Sequence, residues 1–447
     1  MNRIVILIFL LWQFVITANA QEISLEQAKK YALENNNQVK NSHLEIGIAE
    51  DMKREAQTHY LPKLSAMGFV AKTFDPLLDL NTEAMNLPVY DGNPQQLPNA
   101  TQFAYVPPIS LSIDRFATAA ITLMQPIYSG NRVNNANKLA AINKEAKTLQ
   151  QQLTLKEISL KTEKEYRQVL TLNAKKITLG GYEDFLEKLH NEVNNAVKSG
   201  LAIRNDLLKV SIKQSELKLK RIELENGIEL ASKQLCQTIG MDYNAGIRLS
   251  DELILPVSPQ SLYIDSDTAL SQREEYQLLE KSVAAAQLET KMKKGGNLPT
   301  IVAGISGFYM DTMDNTLNAK TNGAVFGGVS IPISNWWENR HGVNQQKAKE
   351  QIAVNQRNET NALLKLQIDK AWTDLNVAFE NIALSEEIVS QTQENLRVNV
   401  SGYRNGLTPL SDLLDAQAQA NEAQERLIES KVNYQTAITT YLTVTGR

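Results

Sequence analysis

One motif occurs twice in this chain, and its spacing constrains the fold more strongly than any other feature of the sequence. Residues 198–208 read KSGLAIRNDLL, and residues 403–416 read YRNGLTPLSDLLDA. In both segments a helical pattern stops at a glycine, and an aspartate follows that glycine by six residues. The matched residues, each pair 206 positions apart, are Gly200 and Asp206 in the first copy and Gly406 and Asp412 in the second. Because an internal repeat decides the architecture of a chain, the motif predicts a duplicated fold.

The match extends well beyond this motif. Pro62 corresponds to Pro299, 237 residues later, whereas positions after the predicted strands correspond with the offset of 206. The difference between the offsets falls mostly in a proline-rich segment at 75–112, which is shorter in the second copy. The sequence therefore predicts two tandem repeats, 21–250 and 251–447, that stand side by side with helices of equal length.

The first 20 residues have the pattern of a secretory signal peptide. Arg3 supplies a basic start, residues 4–16 an apolar core, and the Ala-Asn-Ala sequence at 18–20 a cleavage motif. An uncleaved membrane anchor is the alternative, although the apolar run is too short to span a bilayer comfortably. We therefore expect a signal peptide at 1–20 and a secreted mature chain.

Composition narrows the classes of function. Past residue 20 no run of 18 apolar residues occurs, so a membrane role would have to use β-strands. Cys236 is the only cysteine, which excludes a disulfide framework. The net charge is −4, with lysines and arginines spread among the acidic residues. A nucleic-acid surface needs a basic stripe, so no nucleic-acid partner is expected.

The first repeat begins with a helix and continues into strands. Ser24 and Gln27 fit a capping box at the start of an amphipathic helix, which is predicted to run to about Tyr60. The period then changes to two, which predicts a β-hairpin at 63–127. Within it, the proline-rich segment at 75–112 is predicted to be a long irregular loop. The first strand has roughly 10 residues, a length that suits a tilted membrane strand.

Long helices complete both repeats. Helical periodicity is predicted at 132–199 and 203–239, with apolar residues stepping by three and four as in a coiled-coil seam. The second repeat likewise predicts a helix, a β-hairpin at 300–333, and long helices at 338–402 and 410–445. The chain is thus predicted to be mainly α with a membrane β part.

The four strands of one chain cannot close into a barrel, and open sheet edges are not tolerated in hydrocarbon. Three copies would supply 12 strands, within the range of bacterial barrels. The helices carry charged and amide side chains beside their seams, which fits a hollow helical cylinder better than a solid bundle. We therefore expect a homotrimer in which a 12-stranded β-barrel continues into a water-filled α-helical barrel.

At this point the sequence resembles the TolC-like outer-membrane efflux and secretion channels. The resemblance covers essentially the whole mature chain, and it is carried by the duplicated plan, by QPIYSG at 125–130 and by YxxGx5DLLDA at 403–416. It implies an outer-membrane location with a periplasmic helical extension. It also implies that the chain is a passive exit channel of a tripartite efflux or type I secretion system. The implied partners are a periplasmic adaptor and an inner-membrane pump.

The resemblance further implies a gate at the periplasmic helix ends. The family's gate positions fall here on Asp206, Tyr403, Asp412 and Asp415, so three chains would place rings of three aspartates at a constriction. Such rings favour cations. The family's restraining arginine falls on Thr408, and whether a nearby arginine takes over its role stays open; the candidates are Arg204 and Arg404.

Simpler interpretations of the same residues exist. Asp206 and Asp412 have the spacing of caps for the helices that follow the glycines. Gly200 and Gly406 are expected to be turn residues that need a positive φ at the helix tips.

Chemistry of other kinds is not indicated by the sequence. The four histidines and the lone cysteine lack metal-ligand spacing, and no nucleotide-binding glycine motif occurs. We therefore expect no cofactor, no metal site and no enzymatic activity, and energy for transport would come from a partner. The alternative function is a periplasmic coiled-coil adaptor or structural protein that never enters a membrane.

Overall fold

The computed structural model describes residues 22–89, 92, 102–244, 248–251, 258–313 and 318–447. The predicted signal peptide at 1–20 lies outside these residues. The described chain is mainly helical, with one four-stranded sheet and three two-stranded ladders. No helix in the described ranges is both long enough and apolar enough to cross a membrane.

The chain begins with a short strand and two helices. Strand β1 (Glu22–Ile23) precedes α1 (Leu25–Asn35) and α2 (Asn37–Thr58). The predicted capping box is confirmed, because Ser24 Oγ accepts from Gln27 N at 3.2 Å and Gln27 Oε1 accepts from Ser24 N at 3.1 Å.

The prediction of one helix running to about Tyr60 is wrong, because the backbone is extended at Asn36 (φ −63°, ψ 131°). The nitrogen and the oxygen of the Asn36 side-chain amide both make hydrogen bonds that stabilise this break. Its Nδ2 donates to Thr238 O at 2.9 Å, and its Oδ1 accepts from Gln38 N at 2.8 Å. Asparagine side chains compete with helical hydrogen bonds in this way.

Four long helices follow the plan expected from the seams. They are α3 (Arg132–Lys198, 67 residues), α4 (Arg204–Ile239, 36 residues), α7 (Asn335–Arg404, 70 residues) and α8 (Leu410–Val444, 35 residues). Their ends differ from the predicted bounds by three residues or fewer.

Between α4 and α7, the chain forms the remaining elements. They are β8 (Arg248–Leu249), a 3-10 turn (Pro259–Leu262), α5 (Ser266–Gln272), α6 (Glu274–Gly295), β9 (Thr300–Asp311) and β10 (Lys320–Ser330). Strand β8 pairs in parallel with β1.

A second helix break separates α5 from α6 at Arg273, 237 residues after Asn36. Arg273 is buried and pairs with Glu275 (Nη2 to Oε1, 2.6 Å), and its Nη1 donates to Gln367 Oε1 at 3.0 Å. The offset of 237 also relates the bounds of α2 to those of α6. The repeat boundaries at 21–250 and 251–447 remain a prediction, with which these offsets agree.

The large sheet is antiparallel, in the strand order β10-β9-β7-β2. Strand β2 (Lys63–Lys72) pairs with β7 (Arg115–Ser129), and the central pair, β7 and β9, joins the two hairpins. A register shift, as in a β-bulge, lies between Pro126 and Tyr128 near the end of β7.

The predicted irregular loop at 75–112 is in part regular, so that prediction is wrong. Strands β3 (Leu78–Asn81) and β6 (Ser110–Ile113) form one antiparallel ladder, and β4 (Met85–Pro88) and β5 (Phe103–Val106) form another. The described prolines of this segment lie at ladder ends and junctions, where proline is tolerated; they are Pro76, Pro88, Pro107 and Pro108. Residues 93–101, which include Pro94 and Pro98, lie outside the described residues.

The chain divides into two compact units, and each unit takes segments from both predicted repeats. The first contains the segment up to Glu50, Ile142–Ala284 and Gln351–Arg447; the second contains Asp51–Ala141 and Ala285–Glu350, and so holds the large sheet.

The first unit has three clusters of buried apolar side chains. One lies around Ile158, Tyr166 and Leu235, a second around Leu186 and Leu414 near the helix tips, and a third in the second repeat. The third includes Leu375, Tyr434 and Tyr441.

A buried carboxylate, Glu163, joins three helices of the first unit. It is 2% exposed. Lys29 of α1 approaches its Oε2 at 2.7 Å, Arg167 of α3 its Oε1 at 2.6 Å, and Thr439 of α8 donates to Oε1 at 2.5 Å. Burial raises the pKa of Glu163, but the hydrogen bonds from Lys29, Thr439 and Arg167 outweigh it and lower the pKa below its ordinary value.

Candidate functional site at the helix tips

The two glycine turns have the same backbone geometry. Gly200 and Gly406 both have φ +74°, and no atom lies within 4 Å of a Cβ built on either. The backbone bonds match as well, since Leu201 N donates to Ala196 O and Leu407 N to Gly402 O, both at 2.8 Å. Glycine is therefore needed at these turns for its left-handed backbone and not for lack of space.

Four helices pack together behind these turns. Buried leucines at the start of α8 contact apolar residues from the ends of α3 and α4, and α7 adds partly buried side chains. The α8 residues are Leu410, Leu413 and Leu414, and their neighbours include Leu186, Val193, Val210 and Tyr403. This packing fixes the positions of the polar residues at the tips.

Asp206 and Tyr403 come from different repeats but lie close enough to interact electrostatically. Asp206, in the first turn of α4, is partly buried and lies 3.6 Å from Lys209 Nζ. Burial raises the pKa of the Tyr403 hydroxyl, and the negative charges of Asp206 and Glu192 raise it further. The first two predicted gate residues are thus brought together in one chain.

Asp412 and Asp415 lie on the exposed side of α8. Ser411 Oγ donates to Asp412 Oδ1 at 3.2 Å. Asp415 acts on the neighbouring α3, because its charge adds to the burial that raises the pKa of Tyr182. Within one chain, the two aspartates therefore present their charge largely to water.

The helix-cap interpretation of the aspartates is wrong. The N-cap residues are Ile203 for α4 and Pro409 for α8, and neither makes a side-chain capping bond. Asp206 and Asp412 are the third residues of their helices, where a carboxylate interacts favourably with the helix dipole without forming an N-cap.

The structure also shows where the two arginines lie that could replace the family's gate arginine. Arg404 lies 3.5 Å from Glu192 and so connects the end of α7 to α3, whereas Arg204 is exposed. Thr408 folds back on Gly402, whose missing side chain leaves room for the threonine hydroxyl. Whether Arg404 or Arg204 restrains the gate stays a prediction.

Sequence reasoning missed two residues at the tips. Leu201 and Leu407 directly follow the turn glycines and are 85% and 82% exposed. The signal was available, because both are leucines and stand 206 residues apart. The two leucines occupy equivalent positions, each directly after its turn glycine.

Metal binding at the helix tips was also considered. Within the described ranges, no group of three or more His, Cys, Asp or Glu side chains is placed to hold a metal ion.

The fold is that of solved outer-membrane channels. The chain matches the outer membrane protein VceC from Vibrio cholerae with a TM-score of 0.76 and 14% identity, over 94% of this chain and 96% of that one. It matches the CmeC outer membrane channel of Campylobacter jejuni with a TM-score of 0.76 and 14% identity, over 94% of this chain and 85% of that one.

Sequence comparison matches part of the chain to known proteins. The family model described as outer membrane efflux protein matches residues 266–447. The outer membrane efflux protein BepC of Brucella suis is 28% identical over 197 residues, which cover 43% of this chain and 42% of BepC, less than half of that relative's length. The predicted resemblance to the TolC-like outer-membrane efflux channels is confirmed by these matches. The predicted location in the outer membrane, with a periplasmic helical part, is confirmed with it.

Proposed function

We propose that three copies of this chain form a passive exit channel through the outer membrane, serving a tripartite efflux or type I secretion system. The observation that carries the proposal is the four-stranded sheet, which has one exposed apolar face and two unpaired edges among the described residues. Such a sheet is unsuited to water and suited to a barrel wall in lipid.

An uncharged band crosses all four strands of the sheet. Residues 64–71, 116–129, 300–310 and 321–330 contain no Asp, Glu, Lys or Arg. Charged residues stand at the ends of the band, with Lys63 at one end of β2 and Lys72 at the other. A strand of about 10 residues spans a bilayer when it is tilted by about 45°. The band therefore has the length of a membrane crossing.

The two faces of the sheet differ in chemistry within this uncharged band. Residues in register across the strands share a face, and one face, here called the apolar face, consists mainly of aliphatic side chains. Val325 and Leu64 on this face are 82% and 70% exposed. Its members include Leu64, Ala66, Val70, Ala119, Ile121, Leu123, Ile301, Ala303, Ile305, Val325 and Val329. The opposite face mixes hydroxyl and amide groups with aromatic and methionine side chains. Its polar members include Ser65, Thr118, Thr122, Ser306 and Asn322, and its large apolar members include Met67, Phe69, Phe308 and Phe326.

The sheet edges support the assembly into a trimer. Strands β2 and β10 pair on one side only among the described residues, so each offers an unpaired backbone edge. In hydrocarbon every backbone N–H and C=O group needs a partner, and pairing β10 of one copy with β2 of the next closes a 12-stranded barrel.

The long helices support the same stoichiometry. Helix α4 has an exposed apolar row at Leu208, Ile212, Leu219 and Ile222. Helix α7 has one at Leu363, Leu366, Val377 and Leu384. Within each row, successive residues are separated by three or four positions or by sums of these numbers, as in a coiled-coil seam. Pairing α4 of one copy with α7 of the next would bury both rows and close the α-helical barrel.

The helix tips are the proposed docking point for a periplasmic adaptor, through which an inner-membrane pump opens the channel. Leu201 and Leu407 support this role, because their exposed side chains stand at the ends of both helix pairs. Three copies present six such leucines, enough for an apolar contact around the whole periplasmic end.

The proposed gate consists of Asp206, Tyr403, Asp412 and Asp415. In a trimer the exposed Asp412 and Asp415 would form two rings of three carboxylates at the periplasmic end. Rings of like charge focus a negative potential in a narrow pore and favour cations there. The packing of Leu413 and Leu414 holds the aspartates on their side of α8.

Replacing both Asp412 and Asp415 with alanine is expected to lower the cation-to-anion permeability ratio by roughly threefold, because the rings lose their charge. Conductance of purified trimers in planar bilayers measures this ratio, together with blockade by multivalent cations. Glu422→Ala is the matched control, since Glu422 is exposed on the same helix but farther from the tip. Equal selectivity in the wild type and the double variant would remove the gate role.

The assembly is tested by the behaviour of the full-length protein. We expect it in the outer-membrane fraction, and we expect unboiled samples to run as trimers on denaturing gels and boiled samples as monomers. The alternative, a periplasmic adaptor or structural coiled-coil protein, predicts a soluble monomer with no inserted sheet, and that result would overturn the proposal.

A further inference from the structure

The β2–β7 hairpin continues beyond the four-stranded sheet as a two-stranded ribbon. We define the ribbon as residues 78–89 paired with 102–113. It contains the ladders β3–β6 and β4–β5, which share one register. Between them Thr82 N donates to Ile109 O at 2.9 Å, so the two ladders form one antiparallel unit.

The side chains of the ribbon stay in phase with those of the sheet. On one strand only Asp114 separates β6 from β7, and on the other the residues between Lys72 and Leu78 separate β2 from β3. Lys72 lies opposite Arg115 and Leu78 lies opposite Ile113, so residues 74–77 are four extra residues on the first strand. Because four is an even number, the insertion leaves the alternation of the two faces unchanged. Strand β7 runs into β6 with a single intervening residue, and alternation along a strand has a period of two. One side of the ribbon therefore continues the apolar face of the sheet.

That side carries large apolar residues along most of its length, with Asn86 opposite Tyr105 as a polar interruption. Tyr105 and Phe103 on it are 67% and 58% exposed. Its other large residues are Leu78, Leu80, Ile109, Leu111 and Ile113, whereas the opposite side next to the sheet is polar, with Asp79, Asn81, Ser110 and Ser112. A lone two-stranded ribbon is at best marginally stable in water, so this apolar side needs cover.

Two cations mark where the ribbon leaves the sheet. Lys72 stands directly opposite Arg115, both are exposed, and by register both lie on the side of the apolar face. Arg115 Nε also lies 3.3 Å from Asp114 Oδ1. Asp311, opposite Ala117 on β7, accepts from the Tyr309 hydroxyl at 3.0 Å and from Met313 N at 3.1 Å.

We propose that the ribbon lies against the outer leaflet of the membrane, with Lys72 and Arg115 at the phosphate groups of anionic lipid. Cations favour that level, and exposed aromatic side chains such as Phe103 and Tyr105 favour the interface between headgroups and acyl chains. The inference rests on the proposed function, because the apolar face points to lipid only in a closed barrel. Sister copies would meet the edges of the sheet and leave this side free for lipid.

Single-cysteine labelling of the full-length protein tests the contact. Cys236 is buried and is first replaced by alanine (Cys236→Ala). An environment-sensitive fluorophore is then placed at Leu80→Cys on the apolar side, or at Asn81→Cys on the polar side as the matched control. The protein is reconstituted in vesicles of phosphatidylcholine with diphosphorylated lipid A, and quenched by iodide in water or by doxyl groups on lipid.

The label at position 80 is expected to be quenched by doxyl lipid and to be about threefold less accessible to iodide than the label at position 81. Equal iodide access at both positions would overturn the proposal. Protection of position 80 from both quenchers would overturn it too, because the ribbon would then be packed on protein. A label at Val70→Cys, within the sheet, tests the proposed function separately from the ribbon contact. If doxyl lipid does not quench this label, the membrane location of the sheet is itself contradicted.

Charge reversal tests the phosphate contact. In Lys72→Glu with Arg115→Glu, iodide access at position 80 is expected to rise about threefold in lipid A vesicles and to change little in phosphatidylcholine alone. Lys63→Glu, at the opposite end of β2, is the control. Unchanged access in lipid A vesicles would overturn the assignment of anionic lipid to these two cations.

Discussion

Replacing Glu163 with glutamine is expected to lower the free energy of unfolding by about 3 kcal/mol, because it leaves two partly buried cations without their buried counter-charge. Lys29 and Arg167 both approach this carboxylate, and the three charges join α1 to α3. Thr439 adds a bond from α8. Urea unfolding of the purified protein in detergent, followed by circular dichroism, measures the loss.

The control for this prediction is Glu157→Gln. Glu157 lies on the same helix but is exposed, so its replacement is expected to change the free energy of unfolding by less than about 0.5 kcal/mol. Equal effects of the two substitutions would contradict the role given to Glu163.

The Glu163 contribution also has a defined pH dependence. Its pKa is lowered in the folded state, so the stabilisation is fully present above the ordinary value of 4.5 and is lost as pH falls through the lowered pKa. The difference between wild type and Glu163→Gln is therefore expected to shrink at acid pH.

Placing an arginine on the apolar face of the sheet, as Val325→Arg, is expected to cost about 2–4 kcal/mol in folding into lipid. Val325 is 82% exposed in the single chain and lies near the middle of β10. An exposed position tolerates arginine in water, but a lipid-facing position at mid-membrane does not. Folding into phospholipid vesicles at increasing urea concentrations measures the cost.

The matched control is Ala324→Arg, one residue earlier on the same strand. Ala324 pairs with Ser306 and lies on the opposite face, which would line the lumen. We expect Ala324→Arg to cost less than about 1 kcal/mol. Equal tolerance of arginine at both positions would remove the membrane assignment of the sheet, whereas equal intolerance would indicate burial of both faces.

Much of the helical architecture was predictable, because a coiled-coil seam constrains every turn of a helix. The bounds of α3 and α8 follow from the seams and from the glycines that interrupt them. The turns at Gly200 and Gly406 were predictable for a similar reason, since a glycine between two helical patterns indicates a left-handed backbone.

Local hydrogen bonds were harder to foresee. The break at Asn36 depends on a bond to Thr238, 202 residues away, which sequence pattern does not reveal. The ribbon was missed because its prolines outweighed the alternation on either side of them. At the tips, the sequence indicated the aspartates through their charge and family positions, whereas it indicated no role for the exposed Leu201 and Leu407.

The two helix breaks occupy corresponding positions but are held by different chemistry, so the two joints are expected to respond differently to acid. The joint at Asn36 uses an amide, which does not titrate. The joint at Arg273 uses Glu275, whose pKa is raised by burial but lowered further by the guanidinium, to below its ordinary value. Strong acid that protonates Glu275 would thus loosen the joint of the second half and leave its counterpart in the first half intact.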